Sequence, residues 1–91
     1  MSRRTDIEAA IAAHNDTDPE ALLPPAAARL LITMFPRRDV CQRSLEDLAA
    51  DGFSRPSLPT LLQRLVFAGL LMRDRMAGAP HVYHLHLGRQ P

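Results

Sequence analysis

Lysine and tryptophan are absent from this 91-residue chain, which holds one Cys, one Tyr and three Phe. A single cysteine excludes an intrachain disulfide framework and fits a reducing, cytoplasmic setting. With so few aromatics, the core has to be assembled from Leu, Ile, Val, Met and Ala. No apolar run approaches the roughly 18 residues that a membrane span needs. Met1-Ser2-Arg3-Arg4 leads straight into an Ala- and acid-bearing helical pattern, not into a signal-peptide hydrophobic region. Nucleophile-base-acid sets, phosphate-cradling Gly loops and paired carboxylates are also missing, so no enzyme activity is expected. Asp16, Asp18 and Glu20 lack the central Gly and closing Glu of a calcium loop.

Apolar residues make up 46% of the chain and charged ones 23%, an ordinary globular mixture. A chain of this length buries only about two-thirds of its unfolded surface, so a second chain would add stability. The net charge of +1 hides a gradient: residues 1–36 sum to −2 and residues 37–91 to +3. Every basic residue is Arg, which codon bias alone explains. Guanidinium is nevertheless the better bidentate donor to phosphate and to guanine edges.

Hydrophobic spacing predicts a mainly α chain with a small antiparallel β-hairpin. Thr5-Asp6-Ile7-Glu8 has the form of a capping box, after which Ile7, Ala10, Ile11 and His14 share a helical face. Asn15 to Pro19 ends that helix, and Asp18-Pro19-Glu20 restarts a short turn. A second helix is expected over 26–35, with Ala27, Leu30, Leu31 and Met34 inward, Pro25 in its first turn and Pro36 as its stop. Residues 37–43 form a connector with a short extended piece around Val40. Ser44 to Asp47 repeats the capping logic for a short helix carrying Leu45, Leu48 and Ala49, stopped at Gly52. A further helix buries Leu58, Leu61, Leu62, Leu65 and Val66 and stops at Gly69. Ser54 and Ser57 compete as its cap, since Pro59 is tolerated only in a first turn.

Residues 70–87 switch to an alternating pattern. A four-residue loop at Ala77-Gly78-Ala79-Pro80 pairs Met76 with His81 and Met72 with Leu85. That register puts Met72, Tyr83 and Leu85 on the core face, and Arg73, Arg75, His84 and His86 together on the wet face. The organisation expected is an N-terminal helical extension over 1–23, a main domain over 24–87 and a flexible tail over 88–91.

Three helices followed by a two-stranded hairpin is the order of a winged helix-turn-helix, with an extra N-terminal helix here. Ser44-Leu45-Glu46-Asp47-Leu48-Ala49-Ala50-Asp51-Gly52, then Leu61-Leu62-Gln63-Arg64-Leu65-Val66-Phe67-Ala68-Gly69-Leu70-Leu71-Met72-Arg73, resembles bacterial regulators of the MarR type. The likeness covers residues 24–87 and is shared by many winged-helix families, some of which bind proteins. It implies a transcriptional regulator that binds double-stranded DNA. Ser54, Arg55, Ser57, Thr60, Gln63 and Arg64 of the recognition helix would face the major groove, and Arg73 and Arg75 of the wing would meet the backbone. Pro59 departs from the pattern, which has a small polar residue there. Either the helix starts late, at Ser57, or part of its groove face is lost.

Each of these groups also has a plainer reading. The recognition-helix set is equally the solvated side of an amphipathic helix, and Arg73 and Arg75 suit a charged strand edge that discourages pairing. Arg37, Arg38 and Arg43 precede the short helix, where phosphates run in winged-helix complexes, or they form a solvated cluster. His84 and His86 supply two ligands where zinc needs three or four, so no metal and no cofactor are expected. Two wet imidazoles beside Arg would instead strengthen phosphate binding below about pH 6.5. Cys41 is either a small core residue or, beside three Arg, a thiolate-forming redox sensor. The stripe of Ile7, Ala10, Ile11 and His14 either folds back on its own core or pairs two copies as a homodimer. The alternative function is a winged-helix protein–protein interaction module, an antiactivator or assembly factor, docking through a Leu/Phe patch around Phe53 and Phe67.

Overall fold

A computed structural model describes residues 2–74 and 82–87. Helix α1, Arg3–Thr17, is capped by Ser2, whose Oγ accepts from the Thr5 amide at 3.1 Å. The cap predicted at Thr5 therefore lies one turn earlier. Glu8 does not close a box but stands 3.7 Å from Arg4, while Arg3 reaches across to Asp39. Ile7 and Ile11, one turn apart on the same face, are both buried where α1 packs on helix α2, Pro25–Met34.

Of the two readings of the Ile7–His14 stripe, folding back on the chain's own core is the one these contacts match. Ile7 and Ile11 belong to the same core as Ala27, Leu30 and Leu31, and Ala10 packs against it. His14 is also taken, its Nε2 lying 2.9 Å from the Ala21 carbonyl. The segment between the helices includes a single 3-10 turn, Pro19–Ala21. Asn15 fastens its far end: the Leu23 amide donates to Oδ1 at 2.8 Å, and Nδ2 donates to the Leu23 carbonyl.

Beyond α2, Phe35 is fully buried and the chain turns into strand β1, Val40–Cys41. Helix α3, Leu45–Ala50, carries the capping box foreseen at Ser44 and Asp47, with both reciprocal bonds formed. Gly52 follows at φ 103°, a left-handed conformation that only glycine adopts cheaply. A 3-10 turn, Arg55–Ser57, leads into helix α4, Leu58–Phe67. Neither Ser54 nor Ser57 caps it through its side chain. Pro59 occupies the first turn, where a missing N–H costs nothing. Gly69 at φ 80° closes α4, with the Leu70 amide returning to the Leu65 carbonyl at 3.1 Å. Leu58, Leu61, Leu62 and Leu65 are buried as the spacing predicts, but Val66 is not: it is 37% exposed.

Strands β2, Leu71–Asp74, and β3, Val82–Leu85, complete a three-stranded antiparallel sheet in the order β1-β3-β2. The register differs by one residue from the predicted one. Leu71 pairs with Leu85, Met72 with His84 and Arg73 with Tyr83. A four-residue loop fixes an even count between paired residues, whereas Asp74 opposite Val82 leaves the odd count of residues 75–81. One step of slip exchanges the faces of β2. Leu71, not Met72, is buried against the core, and Met72 is 58% exposed. Arg73 joins Tyr83 on one face, and His84 meets Asp74 on the other. The expected Met76–His81 pair, the 77–80 loop, Arg75 and the tail 88–91 lie outside the described residues.

Candidate nucleic-acid interface

Alternation between buried and exposed positions decides what α4 offers to solvent. Because Leu58, Leu61, Leu62 and Leu65 turn inward, Thr60, Gln63 and Arg64 stand outward, and Ser54, Arg55 and Ser57 are exposed on the preceding turn. The capped α3 packs against α4 and against the 3-10 turn between them, which fixes the direction in which this surface points. All six polar positions expected on the recognition helix are accessible. From Leu58 to Arg64 the helix rises about 9 Å, the length of roughly three stacked base pairs.

The guanidinium groups are accessible but engaged. Arg55 forms an ion pair with Glu46 at 3.1 Å, side chains 45% and 74% exposed. Arg64 donates to the Leu22 carbonyl, tying α4 to the segment before α2. Arg43 is half-buried and bonds the Asp51 carboxylate and the Asp47 carbonyl, so it braces α3 across its length. Arg37 and Arg38 are exposed before β1 and make no ion pair among the described residues. Arg73 lies over the Tyr83 ring, 5.8 Å from its centroid, with Nη2 3.4 Å from the phenol oxygen. Exposed ion pairs contribute only about 0–1 kcal/mol. A phosphate or a guanine edge therefore competes with Glu46 for Arg55 at small cost.

Other expected groupings are not assembled. Arg73 and His84 occupy opposite faces, and His84 Nε2 lies 3.1 Å from Asp74 Oδ2, so the shared wet face of imidazole and guanidinium does not form between them. Among the described residues no three His, Cys, Asp or Glu side chains are grouped to hold a metal ion. Nor is any helix there long and apolar enough to cross a membrane. Phe53 is half-buried beneath Arg29, whose guanidinium stacks 5.7 Å from the ring centroid, leaving Phe67 as the exposed aromatic of the pair.

Cys41 is buried, 3% exposed. Burial pushes its thiol above the usual value of 9.0, outweighing the Arg43 amide and charge that pull the other way. The thiol is protonated at neutral pH, which removes the basis for a thiolate sensor. Native protein at pH 7.5 should resist iodoacetamide alkylation that is rapid in urea. The folded state holds this proton more tightly, so its contribution to stability is complete below pH 9.0 and is lost as pH rises through the folded value. Native alkylation at the urea rate would contradict this placement.

Exposed apolar groups on α4 and β2 were only partly legible in the sequence. Phe67 is 80% exposed, and with Val66 and Met72 it lies at or just after the C-terminal end of α4. The Leu stripe counts Val66 inside because it continues the i, i+4 series from Leu62, but Val66 sits at the edge of the buried face while its neighbour Leu65 is fully buried. Comparison of the chain with protein-family models, curated proteins and solved structures returned no match.

Proposed function

We propose that the chain is a small winged-helix DNA-binding protein, a cytoplasmic transcriptional regulator whose α3–α4 unit docks on duplex DNA. The observation that carries this reading is the clean division of the 54–65 segment. Every polar side chain suited to base or phosphate contact is exposed there, while the Leu residues between them anchor the segment. The element order α2-β1-α3-α4-β2-β3, with β3 central in the sheet, supports the winged-helix reading. In this arrangement α4 enters the major groove. Arg55 and Arg64 donate two bonds each to guanine, Gln63 pairs with adenine, and Ser54, Ser57 and Thr60 bond phosphates or base edges. Arg37, Arg38 and Arg73 neutralise backbone phosphates on either side.

Titrating a random-sequence duplex of about 16 base pairs into isotope-labelled protein tests the assignment. Amide and Arg Nε–H resonances of residues 54–64 are expected to shift at low salt, and those of α1 to stay. Shifts confined to α1, or none at all, would overturn the reading.

A further inference from the structure

An open groove of about 450 Å³ runs between α4 and the sheet, with Leu45, Pro59, Leu62, Val66 and Phe67 among its walls and Tyr83 at one side. Its size lies within the range of a binding pocket. Among the described residues the lining is apolar apart from Gln63, Arg73 and the phenol of Tyr83, and contains no carboxylate. Phe67, the most exposed large apolar side chain of the described residues, stands on its rim. Tyr83 is 4% exposed, so Arg73 lies over a buried ring and gives one Nη2 contact to its phenol.

We infer that this groove docks an acidic amphipathic helix of another protein. The helix would place apolar side chains against Leu62, Val66 and Phe67, and an Asp or Glu on Arg73. Charge decides the occupant. The single charged side chain among the described lining residues is a cation, so a partner that fills the groove and leaves Arg73 paired has to bring an anion. A second copy seated on the same face by a two-fold axis would bring Arg73 of both chains together without a carboxylate from the described lining of either groove, which is repulsive. The α4 segment that walls the groove, Pro59 to Phe67, rises about 12 Å, enough for two turns of a partner helix. Gln63 belongs both to this groove and to the proposed DNA face. In so far as that DNA reading holds, the partner and duplex DNA exclude one another, and the groove regulates the DNA site.

The test is selection from a displayed library of random 16-residue peptides against the intact chain. The proposal expects recovered sequences with apolar residues at i, i+3 or i+4, and i+7, and with net negative charge. Their affinity should fall at least tenfold for Phe67→Ser and for Arg73→Glu, while both variants keep the native melting profile. Phe67→Ser should leave duplex binding unchanged, so loss of peptide binding and loss of DNA binding are read separately. Basic or aperiodic peptides, no binders, or binding that ignores Phe67→Ser would overturn it. So would a micromolar dimer, seen by sedimentation, that Phe67→Ser dissolves.

Discussion

Ile7→Ala is expected to lower the unfolding free energy by about 2–5 kcal/mol, the cost of deleting a fully buried aliphatic side chain and leaving a cavity. Ile7 is 0% exposed and packs into the core that holds Ala27, Leu30 and Leu31. A small domain holds only about 5–15 kcal/mol in all, so this one change removes a large share of it. Urea denaturation measures the effect as a drop in midpoint at constant slope. Ala9→Ser and Ala12→Ser, on the exposed side of the same helix, should stay within about 0.5 kcal/mol of the parent. If residues 1–23 were a separable arm, Ile7→Ala would behave like those surface changes. A loss below about 1 kcal/mol would mean that α1 contributes little to the fold.

Arg64→Ala is expected to act twice. The guanidinium bonds the Leu22 carbonyl from 42 positions away, so its removal frees the segment between α1 and α2 from α4. Because the contact is exposed, the stability lost should be modest, about 1 kcal/mol. Affinity for a duplex selected from a random pool should fall by about 1–3 kcal/mol, the worth of a base-reading arginine. The two effects separate cleanly, since one is read by denaturation and the other by binding at a temperature where both proteins are folded. Unchanged affinity with reduced stability would make Arg64 a strut between two parts of the fold. The DNA face would then rest on Arg55, Gln63 and Thr60.

The helices were legible because their signals are local. Ser44 and Asp47 satisfy each other three residues apart, and Leu30, Leu31 and Met34 repeat within one turn of a single helix. Gly52 and Gly69 mark stops that depend on their own φ alone. What was not legible depends on distant partners or on parity. The local pattern puts the N-cap at Thr5, but Ser2 takes it, and Arg3 in the added turn meets Asp39 thirty-six residues on. The sheet register turned on whether an odd or even number of residues separates the paired ends, which no alternation of side chains reveals. From that one step followed the exposure of Met72 and the separation of Arg73 from His84. The candidate DNA face was found from spacing, yet its ties to Glu46 and Leu22 were not. Those ties turn a row of apparently free cations into cations already in contact with the protein.

The most direct measurement is the affinity for random duplex DNA between 50 and 200 mM salt, followed by fluorescence anisotropy. Five arginines, at 37, 38, 55, 64 and 73, are assigned to DNA here. If most of them displace counterions, log K should fall with log salt at a slope of roughly −4. On random duplex, where no guanine is in register, Arg55 and Arg64 turn to phosphates, so replacing both by Ala should bring the slope nearer to −2. Binding that ignores salt, or none at 50 mM, contradicts a DNA-docking α4.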